Sequence, residues 1–487
     1  MVDWAMGGGW KLYLNVAYLA FATFIFINFR YLFWIVFFPF ILLLSIYAPV
    51  GMIYGGVDES FLLALFGTYG GEAREFFGSI DIRYLLSTIF SVFFIIYLRV
   101  SKTSSSIKFP VAIFIIFAIA TATGKLWGIA STSSVITMLK DFKSSYEYFK
   151  KTNIHIVKPK WIIKSIDPKY HNYVVVIGES ARRDYHGVYG YNINNTPFLS
   201  SVDGVIIDGF NAVGLNTIPT LRATLNHERD FDLNIVDLAN LAGFKTFWVS
   251  NQGFLGTHET DVSIVAKRAN FSYFSTHDKI NASHKGEENH DKILIPQIAK
   301  ILNQQINEKR VIFVHLYGSH PDACRRISNN DYVKYSDKAT FNINCYVESI
   351  RETDENLRQI YNLLKQNFDT SLQSFSMIYF SDHGLTHDTS SNQIKLGMHS
   401  SPAKQHLQIP LIKISSDDKT RQYIKNESYQ NNFAQSFAKW LGVKVLNFST
   451  TSDIFEPIIQ DDITNSKRLI KNKNDDLAID ISKFKKN

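Results

Sequence analysis

Four stretches near the start of the chain, residues 12–29, 31–50, 84–97 (extendable to 100) and 109–123, are built from Phe, Ile, Leu, Tyr and small residues without Asp, Glu, Lys or Arg. A helix crossing a bilayer needs about 20 apolar residues. The first two stretches meet that length, and the last two meet it when their flanks join. Residues 10–126 therefore read as about four transmembrane helices. A buried bundle in a soluble protein has little use for so much uncharged aromatic and aliphatic sequence. A cleaved signal peptide fits poorly, because further spans follow the first and no small-residue cleavage site stands out.

Loop charges orient the bundle. The short loop after the third span carries Arg99, Lys102 and Lys108 with no acid, which reads as cytoplasmic. The longer loop at 51–83 has only Arg74 and Arg83 as bases and reads as external. The last span then exits outward and delivers everything after it to the periplasm or cell exterior. The net charge of +7 is modest and dispersed, with no basic run interleaved with aromatics. Nucleic acid is not the expected partner; anionic lipid head groups are. Cys324 and Cys345, the two cysteines, both fall in the compartment expected to be oxidising, where they pair or remain as two thiols.

The organisation that follows is a transmembrane bundle at 1–126, a linker at 127–170, a folded domain at 171–461 and a polar tail at 462–487. Within the linker, 138–151 mixes Lys with aromatic residues, as an interfacial helix or a plain solvated one would. The folded domain alternates apolar strands (173–177, 205–210, 245–250, 310–316, 375–380, 407–414) with helical patterns (from 217, then 235–242, 292–304, 346–366, 432–441). That alternation predicts an α/β domain with a mainly parallel central sheet covered by helices.

Two of these strands end abruptly in chemistry. One runs Val174-Val175-Val176-Ile177-Gly178-Glu179-Ser180, the other Tyr379-Phe380-Ser381-Asp382-His383-Gly384. Strand ends converge on one crevice in such a domain, so Glu179, Asp382 and His383 can meet there. Two carboxylates and an imidazole suit a divalent cation, zinc foremost. Each also has a bland use: Glu179 as a helix cap paired to Arg182 or Arg183, Asp382-His383-Gly384 as a polar strand end. Thr217 lies in Asn216-Thr217-Ile218-Pro219-Thr220, where Pro219 marks a helix start. It is either a capping hydroxyl or a nucleophile in the positive potential of a helix N-terminus. His320, His399 and His406 flank strand ends and join the candidate site, whereas His315 sits just inside a strand and is assigned to packing.

Taken together, strand-Gly-Glu-Ser, Thr-x-Pro, strand-x-x-Gly-Ser-His and strand-Ser-Asp-His-Gly resemble the membrane-anchored phosphoethanolamine transferases of Gram-negative bacteria. That family lies within the alkaline phosphatase/sulfatase superfamily, and the pattern is most similar to its lipopolysaccharide-core-modifying branch. Supporting stretches are Tyr189-Gly190-Tyr191, Lys245 through Asn251-Gln252, and Phe66 through Glu72-Ala73. The resemblance implies a sulfatase-like catalytic domain in the periplasm, anchored in the inner membrane. It implies zinc, one or two ions, held by Glu179, Thr217, Asp382 and His383. Thr217 would take phosphoethanolamine from phosphatidylethanolamine and pass it to lipopolysaccharide, at a core sugar or at lipid A, where it would bear on polymyxin resistance. His320, His399, His406, Asn251 and Glu72 would contact substrate.

The chain departs from the family in three respects: four spans against a usual five, Leu385 where an acid usually follows Asp-His-Gly, and one possible disulfide where many relatives have several. Thr220 is the alternative nucleophile. Rival readings are a phosphoglycerol transferase acting on a periplasmic glycan, a sulfatase-like phosphodiesterase and a non-catalytic sulfatase-like domain. A sulfatase would need Cys or Ser where Thr217 stands.

Overall fold

The computed structural model describes residues 22–54, 80, 82–101, 158–252, 261–275, 290–328, 339–389, 393–397, 403–448, 453–457, 470 and 473–484. The chain divides into two compact units. In the first, α1 (Arg30–Val50) and α2 (Ile82–Val100) are long and apolar enough to cross a membrane by length and composition. Phe33 and Phe37 are buried in this unit with Ile95 packed against them, while Phe90, Phe93 and Tyr97 face outward. These helices match two of the expected spans. The span at 109–123 lies outside the described residues, and that at 12–29 largely does.

The second unit is built on an eight-stranded sheet: β1 (Asn172–Gly178), β2 (Gly204–Asn211), β3 (Lys245–Ser250), β4 (Phe271–Phe274), β5 (Arg310–His315), β6 (Phe375–Ser381), β7 (Leu411–Ser415) and β8 (Arg421–Tyr429). Its spatial order is β8-β2-β7-β6-β1-β5-β3-β4. β7 is antiparallel to both its neighbours, and every other adjacent pair is parallel. The sheet is therefore mixed, with one strand reversed among seven aligned ones. β1, β5 and β6 are buried along their whole length, as central strands covered on both faces require.

Two expectations need correction, and one strand was not foreseen. The strand expected at 407–414 begins only at Leu411, because Pro410 has no N–H for the ladder and Lys404–Leu407 forms a short helix instead. β8 escapes sequence reading because it is an edge strand with a mostly polar, exposed sequence. The described part of the segment read as a surface tail is docked on the domain, with Ile481 buried, because its carboxylates find cationic partners there.

The long helix α4 (Phe341–Ser371) lays Ile343, Tyr346, Val347, Ile350, Leu357, Ile360 and Leu364 at helical spacing into the core. Cys345 on this helix is disulfide-bonded to Cys324 in the loop after β5. The bond closes a sequence separation of 21 residues. Cys345→Ser is expected to lower unfolding free energy by about 3 kcal/mol, the loop-closure value for a ring of that size. Urea unfolding of the full chain measures it, and an unchanged midpoint would show that helix and loop hold together unaided.

Candidate active site

β1 and β6 are neighbours, with Gly178 opposite Ser381. The next residues, Glu179 and Asp382, therefore leave the sheet side by side. Ser180 turns the chain sharply in a left-handed conformation, φ 57°. Its N–H donates to Asp382 Oδ1 at 2.9 Å and its hydroxyl to Glu179 Oε1 at 2.7 Å. His383 Nε2 lies 3.3 Å from Glu179 Oε1 and 3.5 Å from Asp382 Oδ2. All three residues are buried, and one donor atom from each falls within 4.8 Å of the others.

A helix, α3 (Thr217–Leu225), starts at the same edge. Asn216 is its cap and Thr217 its first residue. The Thr217 hydroxyl donates to Glu179 Oε2 at 3.1 Å, and Thr217 is partly open to solvent. Thr220 is turned away: its buried hydroxyl donates to the carbonyls of Asn216 and Thr217.

The electrostatics of the cluster ask for a cation. Burial opposes the charge on Glu179, yet His383 beside it holds it well below the usual carboxylate range. Asp382, buried and facing the Glu179 charge, is pushed well above it. Burial opposes a charged His383, but Asp382 and Glu179 raise it to about 9. Asp382 Oδ2 is buried with no hydrogen-bond partner, an atom lacking what a metal would supply. His383 Nδ1 donates to the Gly384 carbonyl at 2.7 Å, which leaves Nε2 as the ligating nitrogen. The residues present fit a divalent metal.

The profile of the family described as Sulfatase matches residues 171–443. A putative phosphoethanolamine transferase of Haemophilus influenzae is 35% identical over 74% of this chain and 76% of its own length. The phosphoethanolamine transferase OpgE of Escherichia coli is 33% identical over 83% of this chain and 79% of its own. The chain belongs to the phosphoethanolamine transferases of the sulfatase family. Among solved structures, the integral membrane lipooligosaccharide phosphoethanolamine transferase A of Neisseria meningitidis shares the fold, with a TM-score of 0.59, 17% identity and 83% of each chain covered. So does the periplasmic domain of EptC from Escherichia coli in complex with Zn, with a TM-score of 0.52, 19% identity and 66% of this chain and 97% of that one covered.

In this transferase the reversed strand matters. Because β7 runs against the others, its start lies at the edge where the aligned strands end. The short helix α5 (Lys404–Leu407) precedes β7, and His406 on it stacks on His383 with ring centroids 5.9 Å apart. His406 Nε2 donates to the Leu215 carbonyl at 3.0 Å, just before Thr217, and Nδ1 meets the Thr386 hydroxyl at 3.0 Å. Both ring nitrogens are committed, so His406 braces the Thr217 loop. Burial lowers its pKa to about 3.

His320, lowered to about 4 by burial, donates from Nδ1 to the Pro321 carbonyl at 2.6 Å. Asn251 gives its amide to Asp291 and accepts from Ser275, so it ties β3 and β4 to the neighbouring loop. His315 packs edge-on against Trp248, as expected. Glu72 and His399 lie outside the described residues.

Sequence reading missed three supports. Gln252, at the end of β3, donates to Glu179 Oε2 at 3.2 Å and to the Leu316 carbonyl at 2.6 Å. Half-buried Asp291 accepts the N–H groups of Tyr317 and Gly318 at 2.7 and 2.9 Å. Gly318 has φ +52°, and a Cβ there would fall 2.8 Å from the Glu179 nitrogen. Gln252 follows a strand end as Glu179 does, a signal available beforehand; Asp291 had none.

Stripping the protein with a chelator should lower its melting temperature, and a divalent transition metal should restore it. A gain of about 2.7 kcal/mol is expected at a hundred times the dissociation constant. Asp382→Asn should abolish that gain; a full gain in the variant would place the metal elsewhere.

Proposed function

We propose that the chain transfers phosphoethanolamine from phosphatidylethanolamine to lipopolysaccharide, at a core sugar or lipid A, through a phosphorylated Thr217. The observation that carries this reading is the Thr217 hydroxyl, at the start of a helix, 3.1 Å from Glu179 in the metal-fitting cluster. Zinc is the proposed ion, held by Glu179, Asp382, His383 and the Thr217 oxygen. When bound, it would lower the pKa of the hydroxyl and offset charge on the phosphoryl oxygens.

The chain's own residues do the rest. Glu179 Oε2 orients the Thr217 oxygen and also accepts from Gln252, while the Ser180 hydroxyl holds Oε1 of the same carboxylate. At the start of α3 the N–H groups of Thr217 and Ile218 precede the first intrahelical bonds, and such a helix start would favour a phosphoryl group held beside Thr217. Thr217 Oγ forms a bond to phosphorus, the bond to the glycerol oxygen breaks, and diacylglycerol leaves with the proton that Thr217 gives up. An acceptor oxygen then attacks the same phosphorus, the bond to Thr217 breaks, and the hydroxyl is regenerated with the acceptor's proton. His320 is the candidate phosphoryl contact among the described histidines, with His399 and Glu72 proposed beside it on sequence alone.

A lipid donor accounts for the apolar spans α1 and α2, and the disulfide suits an oxidising compartment. We therefore place the catalytic domain in the periplasm, anchored in the inner membrane. The Neisseria relative named for lipooligosaccharide supports a lipopolysaccharide acceptor.

Mass spectrometry of the purified protein incubated with phosphatidylethanolamine tests the reading. A phosphoethanolamine adduct on Thr217, absent from Thr217→Ala, is expected. An adduct formed only with phosphatidylglycerol would reassign the donor, and one persisting in Thr217→Ala would reassign the nucleophile. Separately, expression in a host whose lipid A the enzyme reaches should reduce polymyxin sensitivity. Unchanged sensitivity there would remove lipid A as acceptor.

A further inference from the structure

Residues 473–480 have no regular secondary structure, yet they bind to three loops at once. The first is the loop after Glu179. Arg182, fully buried, gives Nε and Nη2 to Asp184 at 2.9 and 2.7 Å and Nη1 to Asp476 Oδ2 at 3.0 Å. The Ala478 N–H donates to Asp184 at 2.9 Å, and the Ile479 N–H to the Tyr185 hydroxyl at 3.0 Å. The second is the loop after Asp382-His383. The His387 N–H donates to Asp476 Oδ2 at 2.9 Å, and its Nδ1 to Oδ1 at 2.6 Å. Its Nε2 accepts from the Tyr185 hydroxyl at 2.6 Å. The third is α5. The Lys404 N–H donates to the Asn474 carbonyl at 3.0 Å, and the Asp476 N–H to Gln405 Oε1 at 2.8 Å.

The three loops also press directly on one another. A Cβ at Gly384 would lie 2.8 Å from Arg182 Cγ and 2.9 Å from the His406 carbonyl. Arg182, the chain after His383 and α5 therefore meet at one point, and Asp476 ties all three from outside it. Although partial burial opposes its charge, His387 and Arg182 keep Asp476 ionised, with a pKa near 2.

We propose that residues 474–479 form a clasp that holds the loops bearing Glu179 and Asp382-His383 in ligating register, with α5 and its His406 braced against them and Asp476 as the positioning residue. The proposal rests on the reading of Glu179, Asp382 and His383 as a metal site. Asp476 acts through Arg182 and His387 and touches no reacting atom.

The full chain in detergent, as wild type and as Asp476→Ala, Asp476→Asn and Asp476→Glu, tests the clasp by three readouts. The first is zinc affinity by competition with a chromogenic chelator, the second kcat and KM on phosphatidylethanolamine, the third amide exchange over 182–190, 384–388 and 404–408. Asp476→Ala should weaken zinc by about 10-fold, the low end of the 10–100-fold loss seen when a direct partner of a metal ligand is removed, because Asp476 acts one bond further out, through Arg182 and His387. Its kcat should fall with KM unchanged, and exchange should quicken in all three segments. Asp476→Glu should recover part of the loss. If Asp476→Ala does not fold, Asp476→Asn keeps the shape without the charge, and wild-type zinc affinity and turnover in it would overturn the clasp. Should wild type itself bind no zinc and carry no adduct on Thr217, the metal reading fails. Exchange then still decides: no quickening in the three segments of the folded variant overturns the clasp.

Discussion

Negative charge buried at the ends of two neighbouring strands is what the rest of this catalytic domain is arranged around. Glu179 and Asp382 leave the sheet side by side because β1 and β6 pair in register, and both are buried away from the bulk solvent that would screen their repulsion. The structure answers with donors aimed at both. The Ser180 N–H and hydroxyl, the Gln252 amide, the Thr217 hydroxyl and the His383 imidazole all converge on these oxygens. One oxygen, Asp382 Oδ2, is still left over. Nearly every loop at that edge has a task in holding the arrangement. Asp291 pins the chain that carries Gly318 against the Glu179 backbone, and Tyr346 from the long helix donates to the Ser180 carbonyl at 2.6 Å.

The reversed strand shows how topology serves chemistry. In an all-parallel sheet the residues before a strand lie at the far edge from those after its neighbours. Turning β7 around brings α5 and His406 to the same rim as Glu179 and Asp382. There His406 fastens the Leu215 carbonyl and so fixes where α3 begins. The position of Thr217 thus depends on a histidine whose side chain has no nitrogen to spare for a ligand.

Much of this was legible in the sequence, for identifiable reasons. β1, β5 and β6 are continuous apolar runs that only a covered sheet accepts, and β3 was read to its exact bounds because Lys245 and Ser250 flank an apolar centre. Glu179, Asp382 and His383 were readable because each follows such a run immediately. The direction of β7 was not, since a short apolar strand looks the same in either sense and only its register with β2 and β6 decides. Roles assigned to single polar residues fared unevenly. Asn251 and His406 sit at the rim as expected, but their hydrogen bonds go to protein partners, which no local pattern announces. Asp476 looked like one more acid in a polar tail, and its partners are known only from the folded chain.

The contact between Arg182 and Asp476 joins residues 294 apart. A polypeptide made from its N-terminus exposes Glu179 and Thr217 long before Asp476 emerges. If the loops settle only when that last partner arrives, the enzyme acquires its working geometry as one of the final events of its own biogenesis. Partly made chains would stay idle until then.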